Sequence, residues 1–367
     1  MEDSMAGRQK ARAAASAKAS GMHKRLRVVG RRRGRGDRSS NDLEQCVELV
    51  AMAILALSLF PAGSAYGERE FLAAYKDPTV SRHEVMGDVI LLASLPVLSR
   101  DLTLVGVKGR QGKLPVIDGQ SRYTGINLTD PARGEWRVTL TNLEFRNLRS
   151  NDLSGGAAVY VQVRTRLQID GCVFRGNKAV IGGGGAITVD EESSYRITNC
   201  LFDGNQAQGR GGAFVPYTDA GGVINRTTFK NNYANERGGA ISVNPGELRI
   251  DRCTFQGNKE NGGGGGGAVD CFDGTCIVYN TLFSRNVAKG KGGGLNAIES
   301  DVGGGSLCRG NTFSGNKAAA DARSNNVYVQ VADDTEPVFK FCDRTAPADT
   351  LINAPPGSVV LNDCGYC

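Results

Sequence analysis

Seven phenylalanines recur at nearly constant intervals, and this period limits the fold more than any other feature of the chain. Phe145, Phe174, Phe202, Phe229, Phe255, Phe283 and Phe313 are separated by 29, 28, 27, 26, 28 and 30 residues. Three positions after the last six stand Asn177, Asn205, Asn232, Asn258, Asn286 and Asn316; the first copy has Asn147 two residues after its Phe. Five positions before each Phe lie Leu140, Ile169, Ile197, Ile224, Ile250, Val278 and Cys308. Each Asn is followed by a variable segment and a glycine-rich turn, as at Gly184-Gly185-Ala186-Ile187, Gly211-Gly212-Ala213-Phe214, Gly238-Gly239-Ala240-Ile241 and Gly266-Gly267-Ala268-Val269. Tandem self-similarity at this period defines a repeat architecture.

The pattern inside each period selects the architecture. Helical repeats would place apolar residues three and four apart over ten or more positions, and none does. The apolar pieces are four to six residues long and alternate, as in Ile187 and Val189 against Thr188 and Asp190. That pattern reads as short strands joined by turns. A propeller blade needs about 40 residues, and the leucine frame of leucine-rich repeats is missing. Three short strands per period make one coil of an all-β, right-handed parallel β-helix. Stacked coils put like residues about 4.8 Å apart, so the aliphatic positions form a core, the Phe rings stack, and the Asn side chains pair amide to amide. About ten coils are expected over residues 85–332, with clear repeats over 138–330. Val89-Ile90-Leu91-Leu92, Leu102-Thr103-Leu104-Val105 and Val116-Ile117-Asp118 read as irregular early coils. A short helix within 68–84, with Phe71, Leu72 and Tyr75 at helical spacing, is expected to cover the open strand edges at that end. The Cys-bearing segment 333–367 is expected to cap the other.

Charge and the leader bear on location. Residues 1–65 hold 12 Lys+Arg against 6 Asp+Glu and so carry the whole net charge of +6; the rest has 32 of each. A neutral body lacks the footprint of a nucleic-acid binder. Within 46–67 the run Leu49–Phe60 is apolar except for Ser58 and is followed by Ala62-Gly63-Ser64-Ala65. Behind the basic segment 1–45, this reads as a secretory signal too short to span a bilayer comfortably. An uncleaved anchor, a start at Met22 or an organelle transit peptide are the alternatives, and membrane contact is expected only through an uncleaved leader. Arg35-Gly36-Asp37 would leave with the leader. Ten cysteines and the sequons at Asn127 and Asn225 agree with an oxidising, extracellular or surface location.

The columns Phe174/Asn177, Phe202/Asn205, Phe229/Asn232, Phe255/Asn258 and Phe283/Asn286, together with the Gly-Gly-Ala turns, resemble the repeats of chlamydial polymorphic outer-membrane proteins. Those repeats sit within the wider pectin-lyase-like group of parallel β-helices. The resemblance covers about residues 138–330 and implies a surface or extracellular protein acting in adhesion. About 36 residues follow the last coil, so export through a membrane barrel of its own is not expected.

The chemistry-bearing residues are sparse. If Ile187 and Val189 face inward, the strand after each Gly-Gly-Ala turns outward Thr188 and Asp190, Val215 and Tyr217, Ser242 and Asn244, Asp270 and Phe272, then Asn296. Asp190, Tyr217, Asn244, Asp270 and Phe272 are the candidate ligand-binding residues, suited to a sugar chain; the plainer reading is a solvated strand face. A glycoside hydrolase would need two carboxylates about 5–9 Å apart, and a calcium-assisted lyase a carboxylate cluster with Arg or Lys. Only Asp190-Glu191-Glu192 is dense. His23 and His83 are the sole histidines, and Asp333-Asp334 falls in the tail. No cofactor, metal or nucleic acid is expected. Cys172 and Cys200 share a column, where either a bond or a pair of thiols fits. Cys271 and Cys276 are placed to clip a loop, and Cys342, Cys364 and Cys367 to staple the tail. The reading is a non-enzymatic adhesion or glycan-binding protein whose partners are surface glycans, polysaccharide, or a host or matrix protein. A polysaccharide lyase or hydrolase and a structural wall or matrix component are the alternatives.

Overall fold

The computed structural model describes residues 67–129, 135–162, 164–299, 305–331, 339–343, 346–364 and 367. The leader, Arg35-Gly36-Asp37, His23 and Asp333-Asp334 lie outside these residues.

Every strand pairing is parallel, and like stacks on like. Ile169 pairs with Ile197, then Ile224, Ile250, Val278 and Leu307 in successive coils. One central coil runs through the segments Thr165–Asp170, Val173–Arg175, Lys178–Ala179 and Ile187–Val189. These are, in order, an aliphatic strand, a phenylalanine strand, a two-residue strand after the Asn, and a strand led by the paired glycines. A coil therefore has four segments where three were expected. In the middle of the stack the last segment of one coil runs straight into the first of the next, as the single strands Phe214–Asn225 and Ile241–Asp251. The result, among the described residues, is three sheets, of 18, nine and seven strands. The stack is a right-handed solenoid of about eight turns rather than ten.

Two ladders fill the inside. Neighbouring rings from Phe145 to Phe313 stack with centroids 4.6–5.2 Å apart and planes within 9°. Burial of each ring contributes about 2–3 kcal/mol, and stacking adds to it. Beside them, Asn177 Nδ2 donates to Asn205 Oδ1 at 2.9 Å and to the Phe145 carbonyl at 3.1 Å. The same pair of bonds repeats at Asn205, Asn232, Asn258 and Asn286. Each Oδ1 also accepts a backbone N–H from the coil before. Every amide is thus buried and fully bonded, the condition under which buried polar groups stabilise.

The irregular copies have local causes. Leu148, not Asn147, occupies the Asn column in the first coil, and its N–H donates to Asn177 Oδ1. Asn147 instead belongs to a column of left-handed residues, followed by Gly176, Gly204, Asn231 and Gly257, residue types that tolerate that conformation. In the seventh coil Leu307 fills the aliphatic column, so Cys308 is displaced from the place expected of it.

The ends differ. Among the early coils, strands form at Val89–Ile90, Leu102–Gly106 and Val116–Asp118. The helix Glu68–Lys76 inserts Phe71 and Tyr75 into the core. The far end is no separate cap: Phe339–Phe341 and Val359–Leu361 add rungs to the aliphatic face, and Thr350–Asn353 adds one to the glycine-led face. Disulfides Cys342–Cys364 and Cys308–Cys367 tie these rungs together. Among the described residues, no helix is long and apolar enough to cross a membrane.

Candidate functional site

The paired glycines decide what the outer face presents. The first of each pair, Gly184, Gly211, Gly238 and Gly266, has a left-handed φ of 56–73°, a conformation that a Cβ disfavours. The second stacks so closely on the next coil that a Cβ on Gly239 would collide with the Gly267 carbonyl oxygen. With no Cβ in the way, the first glycine of each loop's pair packs directly against the outward residue four positions on, Gly184 on Thr188, Gly211 on Val215, Gly238 on Ser242 and Gly266 on Asp270.

That loop separates the expected outward positions into two columns. Thr188, Val215, Ser242, Asp270 and Asn296 are all buried, although they point away from the aliphatic core. The second column holds Asp190, Tyr217, Asn244 and Phe272, one per coil and each half-buried. Tyr217 pairs directly with Asn244. Asp190 lies one step beyond the paired Val189 and Pro216, and Phe272 one step beyond Cys271, the partner of Val243. Four of the five candidate ligand-binding residues therefore share one column. Asp270 does not join them; it is a buried residue under a glycine loop, which corrects the expectation that it faces outward.

Asp270 has its own surroundings. It accepts from Ser242 Oγ at 3.1 Å and from Asn296 Nδ2 at 2.6 Å, with Arg237 Nη1 at 3.7 Å. Burial pushes its carboxyl up to about 6, with Arg237, Asn296 and Ser242 acting in the opposite direction. Asp190, by contrast, is held by the Tyr160 hydroxyl, which donates to it at 2.9 Å. Burial raises the Tyr160 phenol, and the Asp190 carboxylate raises it further.

Cations stand just before the glycines at Arg210, Arg237 and Lys291, and two of them cover a ring of the next coil. Arg237 lies 4.4 Å above the Phe272 ring and Lys291 4.3 Å above Tyr328. Between Gly183 and Asn244 this cover opens into a cleft of about 320 Å³, with Arg210, Tyr217, Glu236 and Asn244 on its walls and Ile181 at its rim. Arg210 Nε is 3.7 Å from Glu236. Burial raises the Tyr217 phenol; Arg210 opposes that shift, while Asp190 and Glu236 reinforce it.

Sequence reasoning missed Arg210, Glu236 and Arg237, although the recurring cation before Gly-Gly was there to be read. It also missed Glu260, the one acid among the described residues of a column otherwise filled by Ser150, Ala179, Ala207, Ala234, Ala288 and Ala318. Glu260 is fully buried and accepts from the N–H groups of Gly263 and Gly290, which fastens the six-glycine loop over Asp270.

The cysteines resolve into two kinds. Cys271–Cys276 clips a loop as expected, and Cys308 supplies the fourth partner in the tail. Cys172, Cys200 and Cys253 are free buried thiols, so the Cys172/Cys200 column holds thiols and not a bond. Burial pushes Cys200 and Cys253 up to about 12, and Cys172 well above its ordinary value. Of the sequon residues, Asn225 Nδ2 donates to Asp251 at 2.7 Å, and Asn127 has a buried Oδ1 without a partner among the described residues. Among the described residues, no cluster of three His, Cys, Asp or Glu is arranged to hold a metal.

Comparison with known proteins gives one match. A family model described as a right-handed beta helix region matches residues 117–283. No curated protein and no solved structure matches the chain. The match, with coils stacked on both sides of it, supports the pectin-lyase-like parallel β-helices as the wider group.

Proposed function

We propose that the protein is an extracellular or cell-surface glycan binder acting in adhesion, with the half-buried column of the glycine-led face as its contact surface. One observation carries this reading: four consecutive coils each place a different polar or aromatic side chain, Asp190, Tyr217, Asn244 and Phe272, at the same accessible position. An open ring at Tyr217, a cation-covered ring at Phe272, an amide and a carboxylate at strand spacing suit an extended chain of sugar units. The resemblance to chlamydial polymorphic outer-membrane proteins supports adhesion, although its Phe, Asn and Gly motifs are ladder residues that serve the stack itself. The leader, read as a secretory signal, favours the outside of the cell over an organelle lumen, and the disulfides agree with an oxidising compartment.

The alternative of a polysaccharide lyase or hydrolase loses ground on Asp270, which no polymer reaches under its glycine loop, and on Asp190, whose carboxylate is occupied by Tyr160. The test is the full chain on an array of neutral, acidic and amino glycans. Saturable binding that weakens about tenfold or more in a Tyr217→Ala/Phe272→Ala double variant is expected. An array with no bound glycan would remove this reading and leave a structural wall or matrix role.

A further inference from the structure

The cover of cations over rings is a register, and the cleft sits where it fails. In its one complete outer-column pair among the described residues, Arg237 before the paired glycines of one coil covers the ring of Phe272 in the next. The carbonyl oxygens of Arg210, Arg237, Gly265 and Lys291 each accept from the matching glycine one coil earlier, so these positions stack in one column with Gly183. Arg237 covers Phe272 in the outer column; Lys291 covers Tyr328, which pairs with Asn296 and so belongs to the buried column. Gly183 precedes the coil that carries Tyr217, so a ring is present without its cation. Arg210 precedes the coil that carries Ser242 and Asn244, so a cation is present without its ring. These two incomplete pairs lie side by side, and the cleft is the space their missing halves leave.

We propose that this cleft is a subsite for one neutral hexopyranose unit, stacked on the exposed side of Tyr217 and hydrogen-bonded by Arg210, Glu236 and Asn244. The proposal rests on the glycan-binding reading above and narrows it to a class of sugar. A pyranose presents an apolar face to a ring and hydroxyls at its edge. Arg210 donates to such hydroxyls, the Glu236 carboxylate accepts from them, and the Asn244 amide does either. Charge selects against a uronate. The carboxylates of Asp190 and Glu236 both act on Tyr217, against the single guanidinium of Arg210, and that guanidinium already faces Glu236. An acidic sugar would meet the Glu236 carboxylate with the Arg210 guanidinium already engaged by it.

The register also supplies the variant that closes the site. Asn244→Phe places a ring under Arg210 at the position that Phe272 fills one coil later, so the fold already accommodates that side chain there. Binding of cellohexaose, laminarihexaose and mannohexaose to the full chain is measured by calorimetry against hexagalacturonate. At least one neutral hexasaccharide is expected to bind tenfold or more tightly than the uronate. Asn244→Phe and Tyr217→Ala should each weaken that binding about tenfold, and Glu236→Gln about threefold, with unchanged far-UV spectra and melting temperatures. Lys317→Ala, on another face, should bind as the parent does. Preference for the uronate, or neutral binding untouched by both Asn244→Phe and Tyr217→Ala, overturns the subsite and leaves the glycan-binding reading standing. Absence of binding to every glycan removes both.

Discussion

Two columns climb the same coils and obey opposite rules. The inner one repeats Asn177, Asn205, Asn232, Asn258, Asn286 and Asn316 without variation, each bonded to the next at 2.9–3.0 Å. The outer one reads Asp190, Tyr217, Asn244, Phe272 and Ile298, a different side chain in every coil. A ladder works only if each member is both donor and acceptor for its neighbours, so the inner column has to repeat. The outer column has no such constraint, since its half-buried side chains do not bond to one another along the stack. Repetition therefore marks the residues that build the stack, and variation marks those free to recognise something.

The largest effect is expected from interrupting the inner column at its centre. Asn232→Ala removes the acceptor for both the N–H and the Nδ2 of Asn205, and the donor to the Phe202 carbonyl and Asn258 Oδ1. Four buried groups lose a partner with no water at hand, a cost of about 3–5 kcal/mol. Melting should begin about 10 °C lower, and hydrogen exchange should accelerate first in the coils around 205–258, since each coil contacts only its neighbours. A melting point within 2 °C or so of the parent would mean that the Asn ladder is ornament on a stack held by the Phe rings alone.

Much of this inner region was readable from spacing. The Phe, Asn and aliphatic columns needed only the period and the alternation, because a parallel coil must put like over like. The misreadings fell where an insertion shifts register within a coil. Leu148 for Asn147 and Leu307 for Cys308 are both displaced by one residue, and periodicity alone does not say which neighbour fills a slot. The outer face was harder to read. Strand alternation correctly turned Asp270 away from the core, but nothing in the alternation says that a loop made of glycine, having no side chains, closes over it. The rungs at Phe339–Phe341 and Val359–Leu361 carry no Phe-x-x-Asn signature and showed themselves only through pairing.

Asp270 lies between the two columns in kind as well as place, and its effect should be intermediate and dependent on pH. Its folded value of about 6 stands above the ordinary value of about 4. The folded chain thus holds this proton more tightly than the unfolded chain does. Its contribution to stability is complete below pH 4 and is lost as pH rises through 6, on the order of 2–3 kcal/mol in all. Asp270→Asn keeps the shape and removes the charge. It should melt with the parent at pH 4 and several degrees above it at pH 7.5. A variant less stable than the parent at pH 7.5 would show that the attraction of Arg237 outweighs the burial of the carboxylate.

The smallest effect on stability should come from the outer column, where the largest effect on binding is proposed. Asn244→Ala deletes a half-buried amide on the cleft wall and should change the melting temperature by no more than about 1–2 °C, as surface substitutions outside the core usually do. Set beside Asn232→Ala, it compares the same chemical truncation at two asparagines twelve residues apart in the same coil. If the two variants lost equal stability, Asn244 would be a second structural ladder position, and the division between building and recognising residues would fail at the coil where the cleft depends on it. If Asn232→Ala unfolds early while Asn244→Ala keeps its fold and loses only sugar, the outer column is free to vary because the inner one is not.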